Sequence, residues 1–333
     1  MLNGIYDLIF DNARDDMRVK RLSWIAAVIC LIVSVPFCLH AAGGVGADFL
    51  RLSPPARTAG MGDVFAGISD DVNSIIYNPS GLASLKNIVV SFTHFSSFAD
   101  TNCEYVASAF PLEQGKYGVI GAGVVVDYTF DFPYYDDYGD QKGNVDNSDF
   151  IGTVSYAYPV FGWLSAGVNL KYFYSKLFIY NKSGFAADLG LLFAIAKNPD
   201  TYAGLVIQNI GSQSAYISVV DPMPTNFKAG MGMKLKIGDA AKLTMGLDVN
   251  RLVSKDELPT LDLGADLNIF EVLCLRAGYG FRHDASSVSM GIGVLLDKVT
   301  FSYSYQPFDV LGATNRISLD IALFDGSQDK KKE

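Results

Sequence analysis

From Ile88 to Phe324 the chain alternates apolar and polar residues with a period of two almost without interruption. Successive side chains of a strand point to opposite faces, so this is the pattern of a strand that is apolar on one side only. In "VTFSYSYQ", Val299, Phe301, Tyr303 and Tyr305 fall on one face, and Thr300, Ser302, Ser304 and Gln306 on the other. In "NFKAGMGMKLKI" the residues from Phe227 to Ile237 put Ala229, Met231, Met233 and Leu235 opposite Lys228, Lys234 and Lys236. Asp188, Arg276, Arg282 and Asp320 keep the same rule in their own runs, each across from the aliphatic and aromatic side.

Alternation alone also fits a soluble β-sandwich. Strand number, strand length and connector rhythm separate the two. About fourteen runs reach the roughly nine residues that a tilted strand needs to cross a membrane. They lie at 88–95, 103–112, 116–128, 149–160, 163–177, 182–195, 201–211, 222–237, 241–252, 259–270, 272–282, 287–297, 299–308 and 314–324. Short connectors ("EQG", "FG", "KNPD", "GDA", the bends at Glu271 and at Asp297 and Lys298) alternate with longer ones, among them "SSFADTN", the stretch 129–148, "FIYN", "GSQSAYISVVD" and "VSKDEL". A sandwich has no reason to sort loop length by strand parity, whereas an outer-membrane barrel does. The predicted fold is all-β: a fourteen-stranded antiparallel transmembrane β-barrel. In hydrocarbon every backbone N–H and C=O needs an internal partner, which an open sheet edge denies.

The segments outside the barrel divide the rest into residues 1–42, an upstream extension and signal peptide, residues 43–87, a plug, the barrel at 88–324, and a polar tail at 325–333. Arg18, Lys20 and Arg21 precede the apolar "LSWIAAVICLIVSVPF", and "LHAAG" supplies small residues for cleavage near Ala41 or Ala42. The acids upstream of Arg18 suit a start at Met17. A retained transmembrane helix is the second reading of this stretch, and lipidation at Cys38 a third.

The plug, "GADFLRLSPPARTAGMGDVFAGISDDVNSIIYNPSGLASLKN", has a different grammar of small residues and helix-compatible spacing. Short helices are expected over Asp63–Ser69 and Asp71–Tyr77, with Asp70 or Asp71 as N-cap, followed by a turn at Asn78, Pro79, Ser80 and Gly81. Phe49, Leu50, Met61, Val64, Phe65, Ile68, Ile75 and Ile76 are too many apolar groups for a segment that stays in water. A fourteen-stranded barrel leaves a lumen for them.

This segment resembles the N-terminal signature of the FadL-type and PorV-type outer-membrane barrel superfamily, including its spirochaete members. The matching positions are Ala56, Arg57, Gly60, Met61, Gly62, Asp71, Asn78, Pro79, Gly81, Leu82 and Ala83, with Ser80 in place of the commoner Ala. The FadL resemblance implies a fourteen-stranded barrel closed by an N-terminal hatch, with outer-membrane lipid around it, that takes up long-chain fatty acids or similar hydrophobic cargo. The PorV resemblance implies a partner of secretion proteins or of surface display.

The same residues exclude other classes. With 26 Lys and Arg against 35 Asp and Glu, the chain carries no basic stripe for nucleic acid. No catalytic, metal or cofactor set is found. Cys103 and Cys274 stand alone, His40, His94 and His283 lack ligand spacing, and "GVIGAG" at 118–123 sits in a strand run with no following helix. Asp131, Asp136, Asp137, Asp140, Asp146 and Asp149 lack the order of a calcium loop and read as a solvated surface. Between them Phe130, Phe132, Tyr134 and Tyr135 read either as a ligand-gathering loop or as part of an interfacial aromatic girdle.

Overall fold

A computed structural model describes residues 45–97, 100–253, 258–281, 288–308 and 312–323. The signal peptide and the tail assigned from sequence lie outside the described residues, as do Arg282 and His283. Fourteen strands follow one another: β1 (Val89–Ser96), β2 (Asn102–Pro111), β3 (Val119–Tyr135), β4 (Gln141–Phe161), β5 (Leu164–Leu177), β6 (Tyr180–Lys197) and β7 (Asp200–Gln213), then β8 (Asn226–Ile237), β9 (Ala241–Leu252), β10 (Thr260–Ile269), β11 (Leu273–Phe281), β12 (Val288–Leu296), β13 (Val299–Phe308) and β14 (Gly312–Ala322). Each pairs antiparallel with its sequence neighbours, and β14 returns to β1 along eight register pairs from Val89↔Ala322 to Ser96↔Asn315. The barrel is closed and has no edge.

Alternation sets the two faces. On β13 Phe301, Tyr303 and Tyr305 are exposed on the outside, while Ser302 and Ser304 are buried inside. The same holds for Leu275 and Tyr279 outside β11 and Arg276 inside it. This is the inverse of a soluble sandwich, and it fits a wall whose outer solvent is lipid.

The strands differ from the sequence expectation where cross-strand pairing runs on past the apolar belt. The expected connector 129–148 is a continuation of the β3–β4 hairpin, with Phe132↔Val145, Pro133↔Asn144 and Tyr134↔Gly143 in register. A bulge at Asp131, whose φ is 56°, absorbs the extra residues, and the chain turns back only between Asp136 and Asp140. The pairing of aromatic Phe132 with β-branched Val145 supports such an extension where charge suggests a loop. Likewise "FIYN" is no long loop: β5 and β6 pair as far as Leu177↔Tyr180 around Phe178 and Ile179.

The connectors at the end carrying Gly162, Asn198, Gly238 and Asp297 are tight; we call this the turn end, and the opposite rim the loop end. The N-terminal segment runs between them through the lumen. It starts at the loop end, where Gly46 N–H donates to the Pro222 carbonyl, and ends at the turn end, where Leu85 and Lys86 lie beside Gly115. Its regular pieces are short: 3-10 segments at Asp48–Arg51 and Pro79–Ser84, and helical turns at Ala56–Ala59 and Ser74–Tyr77. The helix expected over Asp63–Ser69 is reduced to one turn, in which the N–H groups of Ile68 and Ser69 donate to the Phe65 carbonyl, with positive φ at Asp63 and Ser69. The second helix is only its last turn. Asp71 accepts a hydrogen bond from Asn73 N–H at 2.8 Å instead of capping a longer helix, and Asp70 is engaged elsewhere. Asn78, in extended conformation, accepts from Ser80 N–H and Oγ–H and so starts the 3-10 turn that replaces the expected β-turn.

Apolar groups of the segment pack in two clusters. One joins Leu50, Val72, Ile75 and Leu82 to Tyr105, Val119, Ile151 and Phe173 of the wall; the other joins Met61, Val64, Phe65, Ile68 and Tyr77. Their backbone reaches the wall where the wall lacks a Cβ: a side chain at Gly204 would overlap the Ala66 carbonyl, and one at Gly167 the Ser80 amide. Gly204→Val and Gly167→Val are each expected to lower stability by about 1–3 kcal/mol through overpacking. Gly162→Val, at an open turn, is expected to leave the urea midpoint of the refolded barrel unchanged.

Candidate functional site

Arg57 is the centre of the plug. From the helical turn Ala56–Ala59 its Nη1 donates to Asp70 and to Asp71, each at 2.6 Å, and its Nε lies 3.4 Å from Asp266 on β10. Lys234 of β8 reaches the other oxygen of Asp70 at 2.6 Å, and Arg276 of β11 lies 3.3 Å from Asp266. The guanidinium also stands 5.4 Å from the centroid of the Phe65 ring. One planar fork thus ties two distant parts of the segment to each other and to the wall, a geometry that Lys could not reproduce.

The carboxylates respond differently. Burial would raise Asp70, but the charges of Arg57 and Lys234 outweigh it and hold its pKa well below the usual carboxylate range. For Asp71 burial prevails: with one cation and Asp70 beside it, its pKa is raised. Burial would lower Arg57, yet three neighbouring carboxylates keep its pKa well above the usual value.

Other wall groups serve the backbone. Asp248 of β9 accepts from the N–H groups of Phe65 and Ala66, both at 2.9 Å, with Lys228 of β8 at 4.0 Å. Asn169 of β5 donates to the Ile75 carbonyl at 2.8 Å and to Asp188 of β6 at 2.7 Å. Gln208 of β7 donates to the carbonyls of Ile76 and Tyr77, and Ser318 of β14 accepts from Ala56 N–H. Asn78 Nδ2 donates to Ala66 and to the Leu191 carbonyl of β6. A segment with so little helix leaves its amides and carbonyls unpaired, and burial without partners would be costly. Tyr77 Oη adds a knot of bonds with Ser53, Thr58 and Asp63.

The plug residues read from sequence meet the wall in two groups, Gly60 and Gly62 at β12 and β11, and Asn78, Pro79 and Ser80 at β6 and β5. Met61, Asn78, Pro79 and Ser80 are buried, Gly60 abuts Gly291 of β12, and Gly62, at φ 69°, abuts Gly278 of β11. Gly81 is close to Ser69 of the segment itself, and its neighbours Pro79 and Ser80 make the approach to the wall. Phe130, Phe132, Tyr134 and Tyr135 are elsewhere, exposed along the extension of β3, with Tyr134 5.8 Å from Phe178 across the sheet. Asp149, grouped with the acidic loop from sequence, lies within β4 opposite Asp127. Asp248, Asp266, Lys234, Asn169 and Gln208 were not singled out from sequence. Their signal is a charged or amide residue on the polar parity of a strand, which identifies the lumen but not the plug atom it meets.

At the loop end, Tyr216 of the β7–β8 connection bonds Ser175 of β5 at 2.5 Å, with Lys182 4.3 Å from its ring. Below it Phe49 packs edge-on against Phe173, at 5.8 Å between centroids.

Residues 137–318 match the family of type IX secretion system membrane proteins PorP/SprF. No curated protein matches the chain by sequence. Among solved structures the fold is similar to that of the CymD monoaromatic hydrocarbon channel (12% identity over 82% of this chain and 98% of that one, TM-score 0.54). It is also similar to the Pseudomonas putida toluene transporter TodX (11%, 81% and 97%, 0.53) and to a Pseudomonas aeruginosa FadL homologue (9%, 82% and 99%, 0.52). At such identities the likeness is one of fold.

Breaking the Arg57 centre leaves a buried charge uncompensated: the carboxylates of Asp70 and Asp71 in Arg57→Ala, and the Lys234 ammonium in Asp70→Asn. Arg57→Ala and Asp70→Asn are expected to cost about 3–5 kcal/mol each, and Asp71→Asn much less. The pH dependence follows from the shifts. The contribution of Asp70 is present above the usual carboxylate range and is lost only below it. The contribution of Asp71 is greatest in acid and falls as pH rises through the usual range towards its raised value, so Asp71→Asn should remove this decline. Urea unfolding between acidic and neutral pH measures both.

Proposed function

The chain belongs to the PorP/SprF family of type IX secretion system membrane proteins, in the outer membrane of a diderm bacterium, and from that premise we propose that it is a non-enzymatic outer-membrane partner in protein secretion. The carrying observation is the division of labour between lumen and exterior. The lumen is occupied along its length by a segment whose charges and polar groups are bonded to β5–β10 and β14. The exposed aromatic surface, Phe130, Phe132, Tyr134 and Tyr135, stands instead on a hairpin projecting past the loop end. Exposed aromatic side chains of this size, rimmed by charge, suit contact with another protein. A filled lumen with a projecting contact surface suits a barrel that holds an exported protein rather than one that conducts it.

A second reading is supported by the apolar half of the lumen near the loop end. There Phe49, Leu50, Ile151 and Phe173 cluster below the mouth, in a fold shared with hydrocarbon channels. On this reading the barrel takes up fatty acids or similar hydrophobic molecules, with the aromatic hairpin gathering them from the medium or the lipid.

The two readings diverge in a deletion strain. The secretion reading expects defined exported proteins to disappear from the cell surface and medium, with growth on long-chain fatty acids unchanged. It also expects a chain lacking 130–146 to fold yet fail to restore secretion. Normal secretion with lost fatty-acid uptake would overturn it in favour of the second.

A further inference from the structure

The outer wall carries an ionisable pair, His94 and Glu104, on two neighbouring strands. On β1, Thr93 and Phe95 are buried in the lumen, so His94 faces outward, and it is exposed. Glu104 of β2 is its register partner and has the same outward parity. His94 Nδ1 and Glu104 Oε1 are 2.8 Å apart, and the Tyr128 hydroxyl of β3 donates to the same oxygen at 3.4 Å. Both side chains are nearly half exposed, 49% and 46%.

Their height decides what they meet. His94 is five residues from Val89 at the turn end, which on a tilted strand is roughly 13 Å, against an apolar band of about 25 Å. On β12 every outward residue from Leu296 to Val288 is apolar, and on β3 the apolar run extends from Ile120 to Phe130. On β1 only Val90 and Phe92 precede His94. On β2 Glu104 and Asn102 follow Val106, and on β14 Asn315, bonded by the Tyr303 hydroxyl at 2.7 Å, follows Ile317. The belt is therefore notched over three neighbouring strands, at the seam where the sheet closes. Charges on a lipid-facing surface are destabilising and rare, and they mark function when they occur.

We propose that this notch binds the headgroup of a zwitterionic phospholipid, phosphatidylethanolamine, with its ammonium against Glu104 and its phosphate against His94. The outer-membrane location makes lipid the neighbour of this wall, and a short belt draws headgroups down by local thinning of the bilayer. A carboxylate and an imidazole side by side match a headgroup that carries both signs. An anionic headgroup would meet Glu104 with repulsion, and a quaternary ammonium has no N–H to donate to it. Phe92, Val106 and Ile317, all exposed just below, offer the acyl chains an apolar bed.

Native mass spectrometry of the purified full-length chain, titrated in detergent with phosphatidylethanolamine, phosphatidylcholine or phosphatidylglycerol, tests the site. Retention of phosphatidylethanolamine should exceed that of the other two by about tenfold, the worth of one charge-assisted hydrogen bond. H94Q with E104Q should level the three lipids, and because it removes charge from a lipid-facing surface it should still fold. Equal retention of all three by the unsubstituted chain, or a preference that survives the double substitution, would overturn the proposal. A photo-crosslinking residue at Ser96 in native membranes separates lipid from a protein occupant: lipid adducts support the site, and a discrete protein adduct overturns it.

Discussion

The pairing of β1 with β14 is the interaction on which the rest depends. In a bilayer an unpaired strand edge is intolerable, so fourteen strands close, and closure at that number creates a lumen too wide for the wall's own side chains to fill. The N-terminal segment fills it. That segment enters with almost no regular structure, so its amides and carbonyls must find partners on the wall. Asp248, Asn169, Gln208 and Ser318 supply them. Burying those acids in turn requires cations, and Lys228, Lys171 and Arg276 stand beside Asp248, Asp188 and Asp266. Arg57 completes the chain of compensation by joining both halves of the segment to β10.

Inside and outside of the wall therefore follow opposite logics. The inner face spends polar groups on holding a strand-poor segment, and small residues let that segment's backbone approach. The outer face is apolar, with a polar notch at the closing seam and an aromatic hairpin beyond the loop end. Both departures lie on β1–β4 and β14, so the features with something to offer a partner or a lipid are gathered on one side of the barrel.

The barrel was legible in the sequence because its cause is local. Runs such as "VTFSYSYQ" and "NFKAGMGMKLKI" report their two faces residue by residue, and the sorting of short from long connectors reports the membrane. The apolar side chains of the N-terminal segment pack in the lumen. What escaped depends on contacts distant in sequence. Asp63–Ser69 has helical spacing, but its chain is bent by wall contacts at Asp248 and by positive φ at both ends. The stretch 129–148 has a loop's charge, yet its cross-strand pairs keep it a hairpin. His94 has no ligand spacing in the sequence; its partner Glu104 lies ten residues away and meets it only through register.

The central claim is that the segment is an integral, bonded filling of the lumen and not a loosely held stopper. Native-state hydrogen exchange at the Phe65 and Ala66 amides, both bonded to Asp248, tests it most directly. The account predicts protection equal to that of the β9 and β10 strand amides, lost together with it on global unfolding. Exchange of these two amides at the rate of exposed turns, while the strands stay protected, would contradict it.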